Sequence, residues 1–314
     1  MPIQRLKAVK KALGTKILKD TGIGGSGCIS SGSNYLTDKG SVFIKVNHES
    51  KAADMFAGEK AGLEAILKTN TIRVPTPYYV VTFGRSSAAL VMESVNIGSA
   101  SKVQADLGSK LADLHLHNIN LCKMQKSKSD RITSSGAGSS DQEAVHQFGF
   151  HMPTSCGYIL QSNQWEENWA QFYIRKLASQ VEDIISQNHD PQLKDTWEPC
   201  MLKIQKILEK INPVPSLLHG DLWSGNAGAV DGEPLAFDPA TFYGHHEYDL
   251  GIANMFGGFT ENFYKAYHSK IPKESGFELR LPIYELFHHL NHWNHFGAQY
   301  KRSALRLMSS IIKS

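Results

Sequence analysis

The chain has 314 residues, 41% of them hydrophobic, which is enough to bury the core of one large domain or of two lobes. Its 33 Lys and Arg against 30 Asp and Glu leave a net charge of +3, too small and too dispersed for a nucleic-acid-binding surface. Because no run of about 18 apolar residues occurs, the sequence also predicts no membrane-spanning helix.

The N-terminal segment and the cysteines bear on where the protein works. The first 15 residues are basic but have no apolar signal core, so we expect no secretory signal. Leu6, Val9 and Leu13 have helical spacing instead and predict a helix that faces a core. The four cysteines are far apart, with no C-x-x-C pair and no cysteine–histidine cluster at zinc spacing. We therefore expect reduced thiols in a cytoplasmic protein.

A glycine- and serine-rich loop, GIGGSGCISSGSN, is predicted at residues 22–34, before an extended apolar run at 42–46. Around Gly25 and Gly27 the backbone N–H groups can approach phosphate closely, because glycine has no Cβ and tolerates positive φ. The pattern is weak alone, since many such segments are turns or linkers. It departs from the protein-kinase G-x-G-x-x-G, with Ser30 at the third glycine position, and it is not a Walker loop.

Lys45 lies inside the apolar run and predicts a buried ion pair. A lysine in the middle of such a strand needs a partner of opposite charge. The next segment, residues 50–69, has the apolar spacing of a helix and carries two candidate acids. Glu59 is the favoured partner from its distance behind the strand, and Glu64 is the rival. The alternative is that Glu59 is an ordinary exposed acid.

Two β-rich segments follow, at residues 78–82 and 88–92. In a protein kinase the end of the second segment is the hinge, whose backbone binds adenine. Met92 would then lie at the back of the nucleotide pocket, although an ordinary core methionine explains it equally well. The residues predicted to form the hinge are Glu93, Ser94 and Val95.

The middle of the chain is predicted to be helical with one long polar insertion. Residues 101–118 form an amphipathic pattern, and His115 and His117 within it do not share a helix face, so we interpret them as structural rather than as metal ligands. Residues 123–147 are rich in Ser, Gly and Lys and predict a mobile loop. Two more helices are predicted at 165–185 and 197–211.

The polar groups of residues 216–243 point to phosphoryl transfer. His219-Gly220-Asp221 opens a loop after a short apolar run, Asn226 follows five residues after Asp221, and Asp238 ends a second apolar run. Two short strands joined by a turn would place Asp221, Asn226 and Asp238 around one cleft. One carboxylate can then accept a proton from the attacking hydroxyl, while an amide oxygen and the other carboxylate hold magnesium. A surface hairpin that happens to carry two acids is the alternative.

The H-x-D-x-x-x-x-N spacing is typical of the catalytic loop of the protein-kinase-like fold. His-Gly-Asp in place of His-Arg-Asp favours its small-molecule branch, which includes aminoglycoside and choline kinases. Pro239 replaces the phenylalanine of the protein-kinase DFG motif, which argues against a phosphorylated activation loop. Asp249, at the start of the next predicted helix, is interpreted as structural, either capping that helix or bracing the catalytic loop.

Taken together, the segments resemble the fructosamine-3-kinase (ketosamine-3-kinase) family over nearly the whole chain, from about Gly25 to Gly297. The resemblance rests on GCIS, FIKVN, HGDLWSGN, FDPATFYGHHEYDLGIANMFGGF, YHSKIPK and LNHWNHFG. It implies an α+β, bilobal protein-kinase-like fold, with a small β-rich N-lobe (1–95) and a larger helical C-lobe (96–314). It also implies a phosphotransferase with an alcohol group as acceptor, which moves the γ-phosphate of ATP to the 3-hydroxyl of ketosamines. These are sugar adducts on amines and protein lysines, and phosphorylation destabilises them, so that the family acts in protein deglycation and repair.

The resemblance also assigns roles to single residues. Asp221 would be the base, Asn226 and Asp238 the Mg²⁺ ligands, and Lys45, paired with Glu59, the phosphate ligand.

Trp223 would contact the substrate, because a flat ring packs on a sugar and a nearby amine cation, although packing between the lobes is the alternative. His292 and Trp293, on a helix predicted at 281–300, either line the sugar pocket or belong to a polar network. Cys28 would be a redox-sensitive thiol able to link two subunits, so the protein is expected to be a monomer or a redox-dependent homodimer.

Two rival functions remain at the level of the sequence. One is a kinase of choline- or aminoglycoside-like substrates on the same fold, which the scarcity of acidic residues around the catalytic loop disfavours. The other is a redox-responsive pseudokinase, which the intact set of Lys45, Asp221, Asn226 and Asp238 disfavours. Among ketosamines, the run AILKTNTIRVPTP favours ribulosamines and psicosamines over fructosamines, only weakly.

Overall fold

The N-terminal lobe is a five-stranded antiparallel sheet with one helix packed on each side. The computed structural model describes residues 3–26, 30–84, 86–130, 143–188 and 190–314. The elements of this lobe are α1 (Ile3–Leu13), β1 (Lys19–Ser26), β2 (Ser31–Thr37), β3 (Gly40–Asn47), α2 (Ala52–Thr69), β4 (Pro77–Thr82) and β5 (Ala88–Glu93). The strand order in the sheet is β1-β2-β3-β5-β4.

The centre of this sheet explains the alternation of its residues. On β3, Val42 and Ile44 are buried in a small core that also contains Val9 of α1, which confirms the predicted N-terminal helix. Lys45 points to the opposite face, as the period-2 geometry of a strand requires. Its backbone pairs with Gly32 of β2 and Leu90 of β5, so it is held in the middle of the sheet.

The predicted glycine-rich loop at 22–34 is largely a β-hairpin, and the loop prediction is wrong for most of it. Gly25 of β1 pairs with Gly32 of β2, so both flanks of the segment are hydrogen-bonded strands. Glycine is depleted in strands on average, but at Gly32 the ring of Phe43 leaves no room for a side chain: a Cβ there would lie 2.2 Å from that ring. Gly27 and Cys28 lie outside the described residues.

The C-terminal lobe is built from helices. Its first helix, α3 (Gln104–Asp130), continues well past residue 118, so the predicted mobile loop at 123–147 is wrong for residues 123–130. That stretch includes three Lys, one Met and one Gln, which are good helix formers, and neither Gly nor Pro; at residues 123–127, where most side chains are exposed, its polarity reflects a solvent-facing helix surface. The remaining helices are α4 (Trp169–Asn188), α5 (Pro191–Leu208), α6 (Tyr248–Met255), α7 (Glu261–Lys270), α8 (Phe277–Phe296) and α9 (Lys301–Lys313). The predicted helix at 281–300 therefore ends early, where Gly297 has a φ of 79°.

Short strand pairs carry the loops of the site. They are β6 (Thr154–Cys156) with β7 (Ile159–Gln161), β8 (Ser216–Leu218) with β11 (Phe242–Gly244), and β9 (Ala227–Val230) with β10 (Glu233–Ala236). The two apolar runs predicted to form one hairpin belong to different pairs, which corrects the predicted pairing. The hairpin lies between β9 and β10, and Asp231 and Gly232 turn with φ of 53° and 84°, as a two-residue hairpin turn requires.

Candidate active site

A cleft of about 840 Å³ lies between the sheet of the N-terminal lobe and the helices of the C-terminal lobe. Residues from both lobes line it, among them Lys45, Met92, Asp221 and Asp238. Polar groups predicted at widely separated positions thus face one cavity, and the cavity is large enough for a nucleotide and a small second substrate.

Lys45 joins the two lobes through a pair of carboxylates. Its Nζ lies 2.8 Å and 2.9 Å from the two carboxylate oxygens of Glu59 on α2, and 3.0 Å from Oδ1 of Asp238. Burial alone would lower the pKa of Lys45, but the charges of Asp238 and Glu59 outweigh it and raise the pKa, so the ammonium is charged. The rival, Glu64, pairs with Lys60 on the same helix instead. The geometry therefore confirms the predicted lysine–glutamate pair.

Asp221 and Asn226 are held together in the catalytic loop. The Asn226 side-chain amide donates to the Asp221 backbone carbonyl at 2.9 Å and to Asp221 Oδ2 at 3.1 Å. The backbone N–H of Phe237 donates to the Asn226 carbonyl at 3.0 Å, which ties the loop to the segment that carries Asp238. Burial and then the charge of Asp238 raise the pKa of Asp221 well above its ordinary value. A raised pKa makes the carboxylate a stronger proton acceptor.

Asp249 braces the backbone just before Asp221. Its carboxylate accepts the backbone N–H groups of His219 and Gly220, each at 2.8 Å, and its Oδ2 lies 3.0 Å from Nε2 of His115. Gly220 has a φ of 85°, and a Cβ there would lie 2.2 Å from the carbonyl oxygen of Ala240, so the close approach of these two loop segments needs glycine. Asp249 is thus structural, as predicted, and His115 is its buried partner rather than a metal ligand.

Asn226 and Asp238 fit the magnesium role that the sequence predicts for them. With its N–H₂ bound to Asp221, Asn226 keeps its amide oxygen for a cation; within the described chain that oxygen accepts no hydrogen bond. Asp238 has a half-exposed side chain and a φ of 58°, an uncommon backbone conformation for a residue with a side chain. Such strain at a cleft is a feature of functional residues.

The predicted hinge borders the cleft at the end of β5. Met92, Glu93 and Val95 line the cavity, while the Ser94 hydroxyl donates to Oδ1 of Asn34 on β2 at 2.8 Å. The Glu93 carboxylate accepts the Thr76 backbone N–H at 3.1 Å, so the side chain anchors the strand end. These side-chain contacts do not test whether Glu93, Ser94 and Val95 bind adenine. That role would use their backbone groups, and it stays a prediction.

The other end of the cleft is a wall of aromatic rings, which we call the aromatic wall: Trp223, Phe256, His292, Phe296 and Tyr300. The ring centroids of Trp223 and Phe256 are 5.5 Å apart, and Phe256 lies 5.1 Å from His292. Phe256 and Phe296 are 41% and 42% exposed, unusual for large apolar side chains inside a cavity. Sequence reasoning missed Phe256, Phe296 and Tyr300, which lie where helices end or begin: Phe256 follows α6, Phe296 is the last residue of α8, and Tyr300 precedes α9.

Trp293 does not belong to this wall. It is 2% exposed and packs in the core of the C-terminal lobe, so the prediction that it lines the sugar pocket is wrong. At about 100° per residue, the cavity-lining residues Asn291, His292 and Phe296 share one face of α8, and Trp293 lies outside that face. Asn291, one residue on the other side, does line the cavity together with Cys156 of β6, and neither was predicted.

Comparisons with known proteins agree on one family. The family model described as fructosamine kinase matches residues 3–314. The chain is 46% identical to ketosamine-3-kinase of Mus musculus over 97% of this chain and 99% of the mouse protein. It is 37% identical to the chloroplastic protein-ribulosamine 3-kinase of Arabidopsis thaliana, over 95% of this chain and 84% of that protein.

Solved structures agree with the fold. A protein assigned as a fructosamine-3-kinase of Haemophilus somnus superposes with a TM-score of 0.76 at 24% identity, covering 97% of this chain and 95% of that one. The aminoglycoside phosphotransferase APH(4)-Ia, in a ternary complex with AMP-PNP and hygromycin B, gives a TM-score of 0.60 at 15% identity, covering 98% and 97%. The fold is therefore the predicted α+β, protein-kinase-like one, and the chain belongs to the fructosamine kinase family.

Proposed function

We propose that the protein is an ATP- and Mg²⁺-dependent kinase that phosphorylates the 3-hydroxyl of ketosamines and so promotes protein deglycation. The observation that carries the proposal is the convergence of Lys45, Asp221, Asn226 and Asp238 on one cleft, beside an aromatic wall. The names of the relatives, ketosamine-3-kinase and protein-ribulosamine 3-kinase, support the substrate class. The family membership supports the reaction class.

The residues of the cleft divide the work of phosphoryl transfer between them. Asp221 accepts the proton of the attacking hydroxyl, and its hydrogen bond from Asn226 fixes the direction of its carboxylate. Lys45 presents a charged ammonium to the phosphates of ATP, held by Glu59. Asn226 and Asp238 would hold magnesium, which, when bound, neutralises the charge of the transferring phosphate. Gly25 and Gly27 would cover the phosphates, and the hinge would bind adenine.

The aromatic wall supports a ketosamine rather than a polycation as the second substrate. Trp223 and His292 present flat faces to a sugar and to the secondary ammonium next to it. An aminoglycoside kinase needs carboxylates to receive the several ammonium groups of its substrate, and the wall residues that line this end of the described cleft carry none. Within the ketosamines, the preference for ribulosamines and psicosamines over fructosamines stays a prediction.

The deciding experiment measures ATP consumption with Mg²⁺ on fructosamine, ribulosamine and psicosamine derivatives of one amine, with choline and an aminoglycoside as rival substrates. Turnover on a ketosamine that disappears in Asp221→Asn supports the proposal and ranks the sugars. Turnover only on choline or the aminoglycoside moves the protein to another substrate class. Nucleotide binding without turnover on any of these compounds favours a redox-responsive pseudokinase.

Cys28 would make the enzyme responsive to oxidation, on the resemblance alone, by linking two subunits through their phosphate-binding segments. Oxidised wild-type protein should then run as a dimer on a non-reducing gel, and Cys28→Ala should run as a monomer. Crosslinking that persists in Cys28→Ala would contradict this. The three described cysteines, Cys122, Cys156 and Cys200, are free thiols, and the cytoplasmic location stays part of the proposal. Of the helices that the structure describes, none is long and apolar enough to cross a membrane.

A further inference from the structure

Three side chains of different elements meet directly beneath the catalytic loop: Cys156 of β6, Asp221 of the loop after β8, and His288 of α8. One ligand atom from each lies within 4.8 Å of the other two. Cys156 is 2% exposed and His288 is fully buried, whereas Asp221 is half-buried and, with Cys156, borders the cleft. Because strand, loop and helix each contribute one group, the fold itself brings the three ligand types together.

His288 has no role in the phosphoryl transfer derived above, and its polar atoms are unsatisfied. Neither ring nitrogen has a hydrogen-bond partner among the described residues, although the ring is completely buried. An unpaired buried polar group costs roughly 1–3 kcal/mol, and such groups are uncommon in folded proteins. We therefore expect the His288 imidazole to have a binding partner that the protein itself does not supply. The nearest metal-ligating groups are the Cys156 thiol and the Asp221 carboxylate.

The charges around this cluster favour a cation. Besides the Asp221 carboxylate itself, Asp238 and Asp249 are close enough for their charges to act on Asp221. Of the positive groups nearby, Lys45 already pairs with Glu59 and Asp238, and Lys176 holds its ammonium 4.2 Å from the ring centroid of Phe242. Burial lowers the pKa of Lys176 to about 7, so near neutral pH much of this group carries no charge.

We propose that Cys156, Asp221 and His288 form an inhibitory binding site for Zn²⁺ or a similar thiophilic divalent cation. Thiolate, imidazole and carboxylate are the ligands that zinc takes in proteins, at distances of about 2.0–2.3 Å, and three ligand atoms within 4.8 Å of one another can surround one ion. Magnesium, a hard cation, avoids thiolates and binds oxygen, so it is directed to Asn226 and Asp238 instead.

Zinc at this site would stop the reaction by occupying the base. On binding, the Cys156 thiol releases its proton to solvent and its contact with the Asn291 amide, now 3.2 Å, is replaced by the metal. The Asp221 carboxylate becomes a metal ligand and no longer accepts the proton of the substrate hydroxyl. The inhibition rests on the proposed function, whereas the binding site does not.

The test uses Co²⁺ as a spectroscopic substitute for zinc, in full-length protein that carries Cys28→Ala and contains Mg²⁺ but no ATP. A thiolate ligand gives a thiolate-to-cobalt charge-transfer band in the near ultraviolet, which should appear and saturate on titration. Cys156→Ala should abolish the band, and His288→Asn should weaken binding by more than about tenfold. Excess Zn²⁺ should displace the cobalt.

Cys122→Ala is the matched control. Its thiol lies 3.9 Å from Nδ1 of His146, a thiol–imidazole contact elsewhere in the described chain, so this variant should keep the full band. Absence of the band in folded protein, or a band that survives Cys156→Ala, overturns the proposal and leaves a buried water as the partner of His288. If Cys156→Ala does not fold, as judged by circular dichroism, unchanged cobalt affinity in folded His288→Asn overturns it equally.

A second arm connects the site to activity. Zinc-buffered assays at fixed Mg²⁺ and ATP should show loss of turnover in the parent protein as free zinc rises, and a shift of that inhibition to at least about tenfold higher zinc in His288→Asn. Inhibition unchanged by His288→Asn contradicts the site. A protein that binds cobalt as described but phosphorylates no ketosamine would refute the proposed function and leave the metal site intact.

Discussion

The two ends of the cleft are built in different ways. At the phosphate end, Lys45, Asp221 and Asn226 are each tied to a named partner by hydrogen bonds of 2.8–3.1 Å. At the other end, the aromatic wall contacts itself through ring packing, and Phe256 and Phe296 keep two fifths of their surface exposed. The directional bonds fix the geometry of the reaction, whereas the rings present surface without dictating one orientation of the ligand.

This difference matches the two tasks of a kinase of sugar adducts. The phosphate donor and the hydroxyl must meet in one geometry, because misplacement by about 1 Å can cost 100-fold in rate. The amine that carries the sugar varies from a small molecule to a protein lysine, so its site gains from tolerance. The predictions below test whether the two ends separate in this way.

The largest effect is expected at the phosphate end. Asp238→Asn removes the charge that faces Lys45 and turns a carboxylate magnesium ligand into a weaker, neutral amide, so kcat should fall by about 10³-fold or more with little change in thermal stability. Steady-state kinetics at saturating ATP and ketosamine measure this. Asp231→Asn is the matched control, since Asp231 has nearly the same left-handed backbone (φ 53° against 58°) but lies in the exposed β9–β10 turn. A loss of less than tenfold in Asp238→Asn would show that Asp238 has no essential role in the reaction.

The brace beneath the phosphate end should couple stability to rate. Asp249→Asn replaces one acceptor oxygen by an amide that faces N–H donors, so the free energy of unfolding should fall by about 3 kcal/mol. The KM for ATP should change less than kcat, because the brace positions Asp221 rather than the nucleotide. Urea unfolding and kinetics provide the measurement. Asp113→Asn, which breaks the exposed pair with Lys270, should cost less than about 1 kcal/mol; equal losses would contradict the special role of Asp249.

The phosphate end was the more predictable part of the cleft. Lys45, Asp221, Asn226 and Asp238 carry a fixed spacing and a chemistry with few alternatives, so residue types alone located them. The sequence also predicts a structural role for Asp249, which braces the loop before Asp221. Its exact contacts depend on the pairing of β8 with β11, which the sequence does not indicate. The hairpin predicted there joined the wrong strands, because short apolar runs carry no information about their partners.

The aromatic wall was less predictable, for a physical reason. A ring at the end of a helix looks the same in sequence whether it is buried or faces a cavity, and the difference depends on one residue of helical phase. The sequence favours Trp293 rather than Phe296 as a pocket residue, whereas in the structure Phe296 lines the cleft and Trp293 is buried in the core. The long helix α3 was shortened for a similar reason, since a polar exposed helix and a loop share their composition.

The buried histidines beneath the cleft predict a pH dependence of stability. Burial lowers the pKa of His246 to about 3 and those of His245 and His288 well below their ordinary value. Groups with a lowered folded-state pKa bind more protons when unfolded, so their contribution is complete above about pH 6.5 and is lost as the pH falls. Each contributes up to about 1.4 kcal/mol per pH unit in that window. The melting temperature should fall between pH 7 and pH 5, and His246→Asn should show a shallower fall. An identical slope would show that His246 does not contribute to this pH dependence.

The smallest effect is expected at the aromatic wall, and it sharpens the comparison most. Phe296→Leu keeps an apolar side chain but removes a ring that faces the cleft 5.6 Å from His292, so the KM for ketosamines should rise about two- to tenfold while kcat and the KM for ATP stay nearly unchanged. Matched ketosamines of an aliphatic amine and of a lysine-containing peptide separate the amine from the sugar in this measurement. Tyr79→Leu, an exposed ring on β4, is the control and should leave all constants alone. If Phe296→Leu instead lowers kcat with an unchanged KM, the wall takes part in positioning the reacting hydroxyl, and the division of the cleft into a fixed and a tolerant end is wrong.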